Sequence, residues 1–163
     1  QVRAFTVPLP NVLSGPTVEN QHFADVRLPV LATLHDMGWR TMVSYEPALG
    51  PVDFWKWLPH EAKSGSGWDI GGAIDWLICG GESGDKRRPF NHEWARSALA
   101  QCREADVPFF MKQDGAYRSE VYDTLPADLK VREFPTVAIS KAAGEGKAED
   151  GDGTNCGNQE HGR

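Results

Sequence analysis

The sequence predicts an α/β protein with parallel strands, because short apolar runs alternate with amphipathic stretches of helical spacing. Candidate strands cover residues 11–18, 39–45, 73–79 and 107–111. Strands that are joined through helices run parallel and connect by right-handed crossovers. This number of units corresponds to half of a TIM-type barrel or to a small open sheet.

Capping residues and glycines define the two main helices. Asn20 can cap a helix that ends near Gly38, and Pro29 is expected to break that helix into two pieces. Asn91 can cap a second helix that runs to about Ala105. Each helix lies between two strand candidates in the chain, as expected for β/α units.

Several segments outside the main β/α units have a composition that limits the structure they can form. Pro16 weakens the first strand, because proline cannot donate to a sheet ladder. Residues 63–72 are rich in Gly and Ser and predict a surface insertion, and residues 131–135 are expected to pack back on the domain. Residues 140–163 lack large apolar side chains, so we expect a partial barrel domain over residues 1–139 and a disordered tail after it.

Composition restricts the class of protein. The net charge of −6 argues against non-specific DNA binding through a globally basic surface, and no apolar run is long enough to cross a membrane. Cys79, Cys102 and Cys156 are far apart, so we expect reduced thiols and a cytoplasmic protein. The histidines show no ligand spacing with one another or with cysteine, which argues against a zinc site.

Polar residues follow each predicted strand. Because parallel strands point the same way, their carboxyl ends should meet at one mouth, where α/β proteins bind ligands. Gly80 and Gly81 would allow a ligand close access to the backbone. Carboxylates, a lysine and amides at such a mouth suit a polar small molecule or a metal. Taken one residue at a time they are more typical of wet loops, but as four strand ends in a row they favour a site. The side chains in question are Glu19, Asn20, Glu46, Glu82, Ser83, Lys112 and Gln113.

A local cationic patch follows the glycine-rich loop. Lys86, Arg87 and Arg88 could contact a phosphate or a nucleic-acid backbone, or could simply lie in a solvated loop. The loop itself lacks the spacing of a phosphate-binding or dinucleotide fingerprint.

Four ordered motifs carry a resemblance to a known family. They are residues 12–20, residues 43–52, residues 75–84 with Arg88-Pro89, and residues 108–113. Together they resemble the C-terminal half of a bacteriophage family of unknown function that is radical-SAM-like and has a three-cysteine motif near its N-terminus. The resemblance covers about residues 11–135.

The resemblance implies a (β/α) barrel of which this chain supplies the later strands, in a phage-encoded protein of the host cytoplasm. It also implies an iron–sulfur cluster and S-adenosylmethionine in complete members. The chain has no cofactor set of its own, because its cysteines are not spaced to hold a cluster. Tyr45 stands where the family usually has Cys. The chain is then either a C-terminal portion whose cluster-binding half lies elsewhere or a diverged member that has lost the chemistry, and its catalytic residues are unassigned. The loop with Lys86, Arg87 and Arg88 makes a nucleotide or a nucleic acid a candidate substrate.

A second hypothesis is a non-catalytic phage protein that binds a host protein. The aromatic-rich segment of residues 54–58 would then be its contact surface, unless it simply packs in the domain. A half barrel also leaves open edges, so we expect pairing with a missing N-terminal half, with a second copy or with a host partner.

Overall fold

A computed structural model describes residues 7–59, 72–115 and 124–136. In these residues the strands are β1 (Leu13–Ser14), β2 (Arg40–Thr41), β3 (Val43–Tyr45), β4 (Leu77–Gly80) and β5 (Phe109–Gln113). The helices are α1 (Gln21–Asp36) and α2 (His92–Glu104), with short 3-10 turns at Trp55–Trp57 and Ala127–Leu129. The predicted α/β class is confirmed. The predicted disordered tail and most of the Gly/Ser-rich insertion lie outside the described residues.

All strand pairs between these elements are parallel. One sheet pairs β1 with β2, and the other has the order β3-β4-β5. A parallel bridge between Thr17 and Ser44 links the two sheets, so the strand segments lie side by side in chain order. The described residues form no closed barrel, so a partial TIM-type barrel is compatible with this arrangement but is not established by it.

The two sides of the sheet differ because strand side chains alternate. Val43, Tyr45, Leu77, Cys79 and Phe109 are buried in one core together with the inner faces of α1 and α2. The intervening side chains, such as Ser44, Ile78 and Phe110, are only partly buried. We call this second side the open face. Parallel sheets usually have both faces covered by other elements. A face that the described elements leave uncovered is therefore unusual for a parallel sheet.

The outer edge of β5 is closed by a returning segment. Phe110 pairs with Arg132 in an antiparallel bridge, the Met111 N–H donates to the Val131 carbonyl over 2.8 Å, and the Glu133 N–H donates to the Phe109 carbonyl over 3.0 Å. The prediction that residues 131–135 pack back is therefore confirmed for the part that pairs. Parallel strands can extend this sheet at the edge of β1, where no other described strand lies.

Helix α1 is continuous through Pro29, and the predicted break there is wrong. Pro29 is exposed, so its ring lies on the solvent side while Leu28, Leu31 and Ala32 are buried on the other side. The Thr33 hydroxyl donates to the Pro29 carbonyl over 3.2 Å. Packing of the inner face thus outweighs the loss of one backbone hydrogen bond.

The aromatic-rich segment of residues 54–58 belongs to the core. Phe54, Trp57 and Leu58 are at most 1% exposed, and the Phe54 N–H donates to Gln101 Oε1 over 2.6 Å. Trp55 is partly buried and Lys56 is exposed, so most of the apolar area of this segment is used in folding, and its role as a partner-binding surface stays a prediction. Neither α1 nor α2 is long and apolar enough to span a membrane, in the part of the chain that was searched.

Candidate functional site

Strand register places the predicted mouth residues along one edge of the sheet. Tyr45 pairs with Cys79, and Cys79 pairs with Met111, so the residues that follow them are neighbours across three strands. The register shifts between Cys79 and Gly80, so Gly80 pairs with Gln113. Glu46, Gly80 and Lys112 consequently meet at the carboxyl end of the open face.

Glu46 and Lys112 form an ion pair across the end of β4. The Lys112 Nζ lies 3.3 Å from Glu46 Oε1, and the Ser44 hydroxyl donates to Glu46 Oε2 over 3.1 Å. The Glu46 side chain is 17% exposed and that of Lys112 is 49% exposed. The carboxylate is thus held in place by two donors, while the ammonium group remains accessible to solvent.

The two glycines accommodate groups of the protein itself. A Cβ on Gly80 would lie 3.1 Å from Glu46 Cδ and would collide with Oε1 of the same side chain. A Cβ on Gly81 would lie 2.6 Å from the Gly115 nitrogen. The close approach that the sequence indicated at Gly80 and Gly81 is therefore made by Glu46 and by the loop that follows β5.

Gln113 is buried beside this loop, with 3% of its surface exposed. Its Nε2 donates to the Gly81 carbonyl over 3.3 Å, whereas its Oε1 has no hydrogen-bond partner within the part of the chain that the structure describes. Gln113 lies at the carboxyl end as predicted, but on the core side of β5. It therefore fixes the loop around Gly81 rather than facing the open side.

Glu82 is engaged with Arg88. The Arg88 guanidinium donates to both carboxylate oxygens of Glu82 over 2.9 and 3.0 Å, and the Arg88 backbone N–H donates over 2.9 Å. These hydrogen bonds, with the charge of Arg88, lower the pKa of Glu82 to about 2. Glu82 is thus a carboxylate that closes the loop, and it makes no described contact with Glu46.

The predicted cationic patch is largely tied to the same loop. Arg87 donates to the carbonyls of Gly84 and Gly115 over 3.0 and 2.7 Å, and Arg88 is paired with Glu82. Lys86 and Ser83 are exposed. Two of the three patch cations therefore have internal partners, which reduces what the patch can offer to a phosphate.

The remaining predicted residues stabilise the start of α1. The Asn20 side chain accepts a hydrogen bond from the Phe23 N–H over 3.3 Å and caps the helix. Glu19 pairs with Arg27 over 2.8 Å, and its carbonyl accepts from the Leu49 N–H over 2.8 Å. Both residues follow the first strand segment as predicted.

The sequence interpretation missed a second polar group at the same end of the sheet. Asp114 accepts hydrogen bonds from the Thr124 hydroxyl over 3.1 and 3.0 Å, and its Oδ2 lies 3.7 Å from His92 Nε2. Position alone could have indicated Asp114, because it directly follows Lys112-Gln113. Thr124 gives no local signal, because it comes from a later segment. Among the described residues no group of histidine, cysteine and acidic side chains forms a metal site.

The described cysteines are unsuited to ligate a cluster or to act as nucleophiles. Cys79 and Cys102 are fully buried in the core. Burial raises the pKa of Cys102 to about 12 and also raises the pKa of Cys79. Thiolate is the form that binds metals and attacks substrates, so both residues are core side chains. Cys156 lies outside the described residues.

The fold and site define an α/β protein of parallel strands with a polar site at the carboxyl end of an open sheet face. The chain belongs to the family described as "Protein of unknown function (DUF5131)", whose model matches residues 1–156. No curated protein and no solved structure matches the chain significantly.

Proposed function

We propose that the chain supplies the later strands of a radical-SAM-like (β/α) barrel of the bacteriophage type. In this proposal it binds a polar small molecule, S-adenosylmethionine or a nucleotide, at the carboxyl end of the open face. The observation that carries the proposal is the Glu46–Lys112 pair, which lies 3.3 Å apart where parallel strands end. Four motifs in family order along adjacent strands are a further support.

The polar groups suit a ligand with an amino-acid head. The Glu46 carboxylate would accept from the ligand's ammonium group, and the half-exposed Lys112 ammonium would pair with its carboxylate. Ser44 orients Glu46 through a hydrogen bond of 3.1 Å. A zwitterionic ligand would thus replace one internal ion pair with two external ones, which limits the cost of desolvation.

An iron–sulfur cluster does not fit the described residues, because Cys79 and Cys102 are buried thiols in the core. In this proposal the cluster is held by a segment that precedes the strands described here. Such a segment would add its strands at β1, since Val131–Glu133 occupies the outer edge of β5.

The test uses the complete gene product that contains this chain, purified and reconstituted without oxygen. We expect iron–sulfur absorption, and S-adenosylmethionine binding by calorimetry that Glu46→Gln or Lys112→Met weakens at least tenfold. Lys56→Met is the matched control, because Lys56 is exposed on the 3-10 turn at Trp55–Trp57. Absence of both the absorption and the binding would overturn the proposal.

A further inference from the structure

Three aromatic rings lie on the open face, where Phe110 is two residues before Lys112 on β5 and Trp76 and Phe134 lie nearer the amino ends of the strands. Phe110 lies 6.0 Å from Trp76 between ring centroids, and Phe134 lies 5.7 Å from Trp76 and 5.2 Å from Phe110. Phe134 is 66% exposed, and the other two rings are partly exposed. We call these three residues the aromatic surface. It lies on the strand side opposite to the core residues Leu77 and Phe109.

Hydrogen bonds hold Trp76 and the returning segment next to β5. Trp76 Nε1 donates to the Glu133 carbonyl over 3.0 Å, and the Glu133 N–H donates to the Phe109 carbonyl over 3.0 Å. The Glu133 carboxylate accepts from the Phe109 N–H over 3.0 Å, so this acid is directed to the strand. The Trp76 ring is therefore fixed by a hydrogen bond, and the Phe110 and Phe134 rings contact it, which limits the side-chain entropy that binding would cost.

Two cations lie along the same side of the sheet. The Arg132 guanidinium carbon is 5.2 Å from the Phe110 ring centroid, in a cation–π contact. Arg132 also donates to the Lys112 carbonyl over 3.4 Å, and the Lys112 ammonium group is half-exposed. Flat rings bordered by positive charge match a ligand that has a planar ring and a negative group.

We propose that the aromatic surface stacks the bases of single-stranded nucleic acid or of a free nucleotide. Arg132 and Lys112 contact the phosphate in this arrangement. The inference deepens the proposed function and rests on its claim that the open face binds ligand, since it names the substrate class. Stacking on aromatic side chains is tolerant of base identity, so we expect weak sequence preference.

The binding test uses the 163-residue chain and fluorescein-labelled 15-nucleotide dT and rU strands, measured by fluorescence anisotropy. We expect saturable binding that Phe134→Ala weakens about fivefold or more, which is the lower end of the cost of one lost stacked base. Phe134 is largely exposed, so its replacement should leave the fold intact, which circular dichroism verifies. Val30→Ala is the control, because Val30 is 64% exposed on α1.

The charge test uses Arg132→Gln, with Lys56→Gln as its control. We expect Arg132→Gln to reduce the dependence of log K on log salt by about 0.7 for one lost phosphate contact. Competition by AMP and UMP distinguishes a free nucleotide from a nucleic acid as the ligand. If mononucleotides compete through the same residues, the ligand is a free nucleotide, and if only strands bind, it is a nucleic acid.

Two results would overturn the proposal. One is that neither the nucleic-acid strands nor the mononucleotides bind. This result includes the case in which the aromatic surface joins two copies of the chain, so that Phe134→Ala abolishes a dimer. The other is binding that Phe134→Ala and Arg132→Gln leave unchanged. Both results are independent of cluster assembly and S-adenosylmethionine binding in the complete gene product, so failure here and failure of the proposed function can be distinguished.

Discussion

The Glu46 carboxylate lies directly over the Gly80 backbone and occupies the space that a side chain at residue 80 would need. Gly80→Ala should therefore lower the free energy of unfolding by about 1–3 kcal/mol, the usual cost of overpacking. Urea denaturation of Gly80→Ala, Glu46→Ala and the double variant measures these free energies of unfolding. In a Glu46→Ala background the same change should cost clearly less, because the clashing atoms are gone. An equal cost in both backgrounds would show that Glu46 is not the obstacle.

The ion pair between Glu46 and Lys112 should contribute little to stability. Lys112 is half-exposed, and pairs of this kind are worth about 0–1 kcal/mol. Lys112→Met should therefore leave the urea midpoint nearly unchanged. Lys56→Met gives the baseline for removing an exposed lysine. A loss well above that baseline would mean that the pair supports the fold and is not held ready for a ligand.

Glu82 should titrate well below the ordinary value for a glutamate. Its pKa of about 2 reflects the hydrogen bonds and charge of Arg88, against an ordinary value of 4.5. A lowered folded-state pKa means that the contribution of this pair to loop stability is present above the ordinary value and is lost as the pH falls toward 2. Carbon NMR of the Glu82 carboxyl group follows the titration. In Arg88→Gln the pKa should return toward 4.5, whereas in the control Arg103→Gln it should stay low.

The two core thiols should be unreactive in the folded protein. Burial raises the pKa of both Cys79 and Cys102, so little thiolate forms near neutral pH. In a Cys156→Ser variant, a thiol reagent should modify no cysteine under native conditions and both in denaturant. Rapid native labelling of either residue would contradict the burial described here and would reopen a role for these thiols in chemistry.

Thr41 should be among the more sensitive polar positions of the core. Its buried hydroxyl donates to the Ala73 carbonyl over 2.7 Å, and its N–H donates to Asp75 Oδ2 over 2.7 Å. Thr41→Val preserves the shape but leaves a carbonyl unpaired, so we expect a loss of about 1–3 kcal/mol in thermal or urea unfolding. Thr33→Val is the control, because it removes a hydroxyl that donates to the Pro29 carbonyl on the exposed side of α1, where water can replace the lost donor.

The sequence predicted where the strands end better than it predicted which residues contact those ends. Glu46 and Lys112 could be placed at one edge because apolar runs mark the strands, and parallel direction follows from the intervening helices. The limits of β5 moved toward Gln113 because the Gly81 N–H bonds to the Gln113 carbonyl over 3.0 Å. That contact comes from a different strand, and local composition does not encode it.

The local sequence pattern could not predict side-chain contacts inside loops or contacts between residues that are far apart in the chain. The Glu82–Arg88 contact depends on the chain reversing near Gly84, whose φ is +101°. Arg132 reaches Phe110 only after the chain returns along β5. Alternation could have placed Phe110 and Trp76 on one face, but not the residues that cover or border them.

The antiparallel pairing of Val131–Glu133 with β5 also governs how copies of this sheet could join. The outer edge of the described sheet is then the short returning segment on one side and β1 on the other. Two copies joined at β1 by a two-fold axis would pair β1 antiparallel to β1 and leave only the returning segments as outer edges. Those edges are three residues long and are followed by Pro135, which cannot donate to a ladder, so strand pairing beyond such a dimer is disfavoured.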